Sequence, residues 1–192
     1  LDPALAAKII KTANSPLYKS RYPVSNISQA TGILGTYGVT TIALSFSLAD
    51  SLVKQSGKKL GMAGSNIFWR RSITSALASR ALGERLGMSR MLDDLFLAGL
   101  LQDIGILAFH ALLPEDYPSV FSLADNHNAL LAAERETFGG GHDELGAALL
   151  EYWKFPGYVP AACRYSHTAP GKPNAGINEC VATSGYVTDY FL

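Results

Sequence analysis

The chain has 192 residues, 48% hydrophobic and 17% charged, a balance that excludes a disordered chain and is enough for one sizeable core without disulfides or metal. Lys and Arg number 16, as do Asp and Glu, so no general attraction to phosphate backbones operates and nucleic acid is not an expected partner. The two cysteines, Cys163 and Cys180, lie in no CxxC or zinc-finger spacing and read as reduced thiols of a cytosolic, cytoplasmic protein.

A helical period runs through almost the whole sequence. Leu5, Ile9, Ile10 and Ala13 share one face, and the pattern stops at Asn14-Ser15-Pro16. Ile27, Ala30 and Leu34 continue the same logic to Gly35. Thr36 to Val53 forms a second apolar pattern, and Gly57 and Gly61 break the chain after it. Phe68, Trp69, Ile73, Leu77, Ala81 and Leu86 then mark a long amphipathic stretch ending at Gly87. Trp69 and Trp153 read as core anchors.

Ser89 is expected to cap the next helix, with Asp93 and Asp94 in its first turns. Leu92, Leu95, Phe96, Leu97, Leu100 and Leu101 make that helix apolar on nearly every side, which places it at the domain centre. The longest apolar run, Leu95 to Leu101, is interrupted by Gln102 and Asp103, so no membrane span is expected. Further helices follow over Ala129 to Thr137, His142 to Trp153 and Tyr158 to His167. Gly139-Gly140-Gly141 reads as a turn, Ala169 to Gly176 as a loop, and Ile177, Val181 and Val187 as a final helix. His110 and His127 are expected at the surface or in turns. The fold class is thus all-α, a compact bundle of many helices. Residues 1–192 are expected to form one domain, and the opening Leu1-Asp2-Pro3 reads as mid-domain sequence cut from a longer protein.

The informative segment is Gly99-Leu100-Leu101-Gln102-Asp103-Ile104-Gly105, in which two polar residues interrupt a buried apolar helix. A carboxylate there costs several kcal/mol unless it is paired, hydrogen-bonded or metal-bound. The residues alone leave Asp103 as either a structural acceptor or one end of a site.

This segment resembles the Gly-Leu-Leu-His-Asp-Ile-Gly signature of the HD superfamily, particularly its HDOD branch. Asp2 to Tyr18, Ile27 to Gly35, Phe68 to Ala76 and Glu134 to Pro156 resemble other HDOD elements in the same order. Five such stretches cover nearly the whole chain, apart from the first part of the usual domain. The resemblance implies a pocket in which active HD enzymes use His and Asp to hold divalent metals that activate water. Here Arg71 stands nearest the first His place and Gln102 replaces the signature His. Asp103 is kept, and His142 and His167 match later His positions of the branch. The last helix offers Thr183-Ser184-Gly185 where an Asp is expected, with Asp189 too far along.

An amide is a poor metal ligand and a fixed guanidinium repels a cation. The expected pocket of Arg71, Gln102, Asp103, His142 and His167 is therefore vestigial. It carries no catalytic residue, metal or cofactor, and Arg71 pairs with Asp103. The resemblance then implies a non-catalytic module of bacterial signalling that acts on a protein partner or an attached receiver, GGDEF or EAL domain. The alternatives are a metal-dependent phosphohydrolase of a nucleotide or cyclic dinucleotide, and a sensor binding a small anion in the vestigial pocket.

Overall fold

The computed structural model describes residues 3–18, 20, 22–55, 62–124, 126–167 and 176–191. Among them are ten α-helices, one 3-10 turn and no strand. The chain divides into two units, Leu1–Leu48 and Ala49–Leu192. The expected break at Gly57 and Gly61 and nearly all of the Ala169 to Gly176 loop lie outside the described residues.

In the first unit, α1 (Pro3–Ala13) opens on a proline, tolerated there because the first-turn N–H groups have no helical partner. Ile9 and Ala13 are fully buried. The Asn-Ser turn has a mechanical reason. Asn14 Nδ2 donates to the carbonyls of Ile10 (3.0 Å) and Val24 (2.8 Å), and its Oδ1 accepts the Val24 N–H (2.8 Å). A short 3-10 turn (Pro16–Tyr18) follows. Asn26 accepts the Gln29 N–H and so caps α2 (Ile27–Gln55), whose residues from Ala49 onward belong to the second unit. The expected stop at Gly35 appears as a break inside this helix, where Gly35 takes φ 72° and ψ 164°, a conformation that only glycine adopts readily.

The second unit contains α3 (Met62–Arg85), α4 (Leu92–Leu101), α5 (Ile104–Leu112), α6 (Tyr117–Leu123), α7 (His127–Phe138), α8 (His142–Tyr152), α9 (Tyr158–Arg164) and α10 (Ile177–Phe191). After α3 the chain reverses at Gly87 (φ 75°), with Met88 N–H bonded to Gly83 O at 2.8 Å and Gly87 N–H to Glu84 O at 3.3 Å. This glycine closure satisfies carbonyls of the last turn. Ser89 falls in the turn that follows and does not cap α4. The residue before α4 is Met91, which makes no side-chain cap. As expected, α4 is central, with Leu95 to Leu101 all buried, and α5 joins it with Ile104 to Phe109 buried. Trp69 and Trp153 pack against this core.

Two kinds of contact set the helix spacing around the core. Hydroxyl pairs join α3 to α10, Ser75 with Thr188 (3.0 Å) and Ser79 with Ser184 (2.8 Å). Glycines bring backbones together. A Cβ on Gly105 would lie 1.9 Å from His142 O, and one on Gly146 would lie 2.8 Å from Cys163 Sγ and 2.9 Å from Gly105 N. The absence of side chains at Gly105 and Gly146 is what lets α5 and α8 meet, and their meeting places His142 beside the start of α5.

Two stretches are longer and more apolar than the sequence reading allowed, Ile27–Leu52 and Leu92–Leu112, and both have the length and composition to cross a membrane. The second is 83% buried inside the protein and is divided at Gln102-Asp103, as a core element is. The first is 35% buried and contains the Gly35 break.

Candidate functional site

Gln102 and Asp103 occupy the joint where α4 gives way to α5. Asp103 precedes the first residue of α5 yet makes no side-chain cap there. Its carboxylate is committed elsewhere. Arg71, from the middle of α3, donates from Nε to Asp103 Oδ2 at 2.7 Å, as the sequence reading expected. The same guanidinium bonds Asp189 of α10 through Nη1. Asp189 was expected to be too far along the last helix. Gly185 does face the pocket, with the position of a Cβ 3.8 Å from both Arg71 Nη2 and Gln102 Oε1. Asp189 lies one helical turn beyond it, and the long arginine side chain spans the difference.

The other face of Asp103 looks onto imidazoles. His127 Nε2 lies 3.2 Å from Asp103 Oδ1. That approach lacks hydrogen-bond geometry, and Oδ1 is buried with no hydrogen-bond partner. His142 Nε2 sits 2.9 Å from His167 Nε2 and 3.2 Å from His127 Nε2. One ligand atom from each of Asp103, His127, His142 and His167 falls within 4.8 Å of all the others. His142 and His167 therefore stand in this cluster beside Asp103. His127 is a correction, because it belongs to the pocket and not to the surface. Asn126 caps α7 by accepting the Ala129 N–H at 2.9 Å, which fixes His127 as the first helical residue.

Behind the imidazoles stands a residue that the sequence reading did not single out. Glu134 of α7 is fully buried. Its Oε2 accepts the His142 backbone N–H at 2.8 Å and faces His142 Nδ1 at 2.6 Å, and its Oε1 accepts the Tyr117 hydroxyl. A carboxylate on Nδ1 holds the proton there and turns the bare Nε2 toward the pocket.

Burial governs the electrostatics. It pushes the Asp103 carboxyl up, but Arg71 and then His127 reverse this and hold it well below the usual carboxylate range. Burial lowers His127, only partly opposed by Asp103, and lowers His167 to about 3, so both are neutral near pH 7. Burial also pushes the Cys163 thiol well up, and its Sγ donates to Gln102 O at 3.0 Å, a structural role. The Gln102 side chain is 1% exposed, and neither its Nε2 nor its Oε1 has a partner. His110, expected at the surface or in a turn, is half-buried edge-on against Tyr117 at 4.6 Å, and burial lowers it to about 4.

Three imidazoles and one carboxylate are a donor set that suits Zn, Fe or other first-row divalent ions. The bare Asp103 Oδ1 and the Glu134-backed His142 are what such a site requires. His127, expected at the surface or in a turn, adds a third imidazole to this donor set.

The fold and pocket define an all-α domain with a His/carboxylate cluster at a broken central helix. The chain belongs to the HDOD family, whose domain model matches residues 1–169. It is similar to an HDOD domain protein of unknown function from Geobacter sulfurreducens, with 26% identity and a TM-score of 0.73 over 98% of this chain and 62% of that one. It is also similar to the MmoQ response regulator of Methylococcus capsulatus strain Bath, with 28% identity and a TM-score of 0.54 over 98% of this chain and 74% of that one. An uncharacterized protein of Treponema pallidum strain Nichols is 22% identical over 90% of this chain, and the chain spans 33% of its length.

Proposed function

We propose that this chain is a regulatory module of bacterial signalling that works through contacts with a protein partner or an attached signalling domain, without turnover. The observation that carries this reading is the buried Arg71, fixed between Asp103 and Asp189. It commits one oxygen of the pocket's central carboxylate to a permanent cation. Gln102, where an active HD enzyme has its signature His, offers a neutral amide and no strong ligand. Membership of the HDOD family and the likeness to a response regulator support the same reading.

A second reading, a metal-dependent phosphohydrolase, draws on the cluster of Asp103, His127, His142 and His167. A metal held there would supply Lewis-acid activation of water. The two readings separate by assay of the purified chain with Zn, Mn or Fe on a generic phosphodiester and on cyclic dinucleotides. The regulatory reading expects no turnover above buffer with metal. Hydrolysis that His142→Ala abolishes would overturn it.

A further inference from the structure

The seam between α3 and α10 is a ladder of polar pairs. Ser79 meets Ser184 at 2.8 Å, Ser75 meets Thr188 at 3.0 Å, and Arg71 bonds Asp189 at the far end. One turn beyond the Ser79 rung the seam opens into a cavity of about 370 Å³, lined by Leu82, Leu86 and Met88 on one side and by Glu179, Cys180 and Thr183 on the other. That volume falls in the range that admits a small organic ligand, about 300–1,000 Å³. Cys180 belongs to a buried apolar cluster with Leu95 and Val181, against which Leu82 and Met88 pack. Burial, and then Glu179, pushes the Cys180 thiol up, and its Sγ lies 3.9 Å from Met88 Sδ. The protonated thiol is therefore a soft apolar wall and not a nucleophile.

We propose that this cavity binds a small amphiphilic cation, an apolar body carrying one primary ammonium group, and that it is the input site of the module. The lining selects that class. Leu82, Leu86, Met88 and Cys180 offer an apolar body carbon and sulfur alone. Glu179 supplies the only carboxylate of the lining, which holds no Lys, Arg or His, and among the described residues no cation is paired with it. An ammonium group entering beside the apolar wall meets that carboxylate and the Thr183 hydroxyl, one turn further along α10. Arg85 and Arg90 flank the Gly87 turn at the surface and are not part of the lining. The α10 wall lies beyond residues 1–169, so the site stands outside the part of the chain that the family's domain model matches. The seam is the route from this site to the pocket. Cys180 precedes Asp189 on one helix by about 14 Å along its axis. A ligand held between Leu82 and Cys180 bears on the spacing of the same two helices whose other end sets Asp189 against Arg71. The role as an input rests on the regulatory reading; the binding site does not.

The test titrates the full chain with phenethylamine, phenethyl alcohol and hydrocinnamate, which share a phenyl body and differ in the head group. The reporter is the Met88 methyl resonance, one of three methionine signals, assigned by its loss in Met88→Leu. The expected result is a saturable ring-current shift of Met88 with the amine, at a dissociation constant of about 1 mM. The alcohol should bind about five-fold more weakly, and the carboxylate should not bind. Glu179→Gln, which keeps the side-chain shape, should lower the amine to the affinity of the alcohol. Thr183→Phe, which fills the cavity, should abolish binding of both, with circular dichroism verifying the fold. The Arg71 Nε–H resonance, assigned by its loss in Arg71→Lys, should move over the same range of amine concentration. No Met88 shift with the amine, equal binding of the carboxylate, or unchanged amine affinity in folded Glu179→Gln overturns the site. An Arg71 signal that stays fixed while Met88 saturates overturns the role as an input and leaves the site standing. Phosphodiester turnover by the chain overturns the regulatory reading, and with it that role, while the Met88 titration still decides the site.

Discussion

Replacing Arg71 by Met keeps most of the apolar stem and removes only the guanidinium. Its two partners respond differently. The Asp189 side chain is 30% exposed and can turn to water, so its loss costs little. Asp103 is 1% exposed and has nowhere to turn. Breaking a buried pair from one side costs about 3–5 kcal/mol. Asp103 has one escape, taking up a proton, which at pH 7 costs about 4 kcal/mol from an ordinary carboxylate pKa at about 1.4 kcal/mol per unit. His127, neutral through burial, offers no replacement charge. The expected loss is therefore about 3–4 kcal/mol at pH 7. The sign with pH follows. In the wild type the Asp103 pKa is depressed, so its stabilisation is full above the usual carboxylate range and is lost as pH falls toward the lowered folded value. In the variant a protonated Asp103 becomes cheaper as pH falls, so the penalty shrinks by roughly 1.4 kcal/mol per unit toward pH 5. Urea unfolding by circular dichroism, with chelator present, measures both values. Arg71→Met/Asp103→Asn should recover about 2 kcal/mol or more, because no unpaired charge remains. A loss below about 1 kcal/mol, the same penalty at pH 5 and 7, or no recovery in the double variant would refute the reasoning.

Gly105→Ala drives a methyl into the His142 carbonyl at 1.9 Å, backbone against backbone, and should cost about 3 kcal/mol or more in the same assay. Gly157→Ala, with nothing within 4 Å and φ −56°, should stay within about 1 kcal/mol of wild type, and equal effects would show that glycine spacing does not set the α5 and α8 approach. Gln102→Met removes two partnerless buried amide atoms and should raise the unfolding midpoint by an amount equal to about 1–3 kcal/mol, whereas a lowered midpoint would mean the amide is satisfied. His110 is held at about 4, below its ordinary value, so the unfolded chain binds more protons between about pH 4 and 6.5, and stability contributed there falls as pH drops through that window. His110→Phe should flatten that part of a melting-temperature profile, and an unchanged slope would show that His110 does not contribute.

The parts of this molecule legible in the sequence are those whose physics is local or collective. An all-round apolar helix has to be central, and α4 is. A polar pair inside it has to be accounted for, and Asp103 is bound to Arg71 as expected. Gly35 and Gly87 were readable as stops because glycine tolerates the backbone angles found there. The missed residues, His127, Glu134 and Asp189, share a different property. His127 and Glu134 lie in segments whose local pattern is polar, Asp189 stands near the end of the last helix, and each takes its role from what the tertiary fold sets against it. Glu134 lies in the run Glu134-Arg135-Glu136, which reads as a solvated helix face, yet Tyr117 and His142 enclose it completely. His127 follows a good capping residue and reads as an exposed helix start. The consequence reaches the functional argument. Taken alone, Arg71 is a reason for a cation to stay away. Taken with Asp103 and Asp189 it is the middle of an ion triad with net charge −1, and the imidazoles beside it are uncharged. Whether the pocket opposes a metal or accepts one therefore turns on two residues, His127 and Asp189, that only the folded chain brings into it.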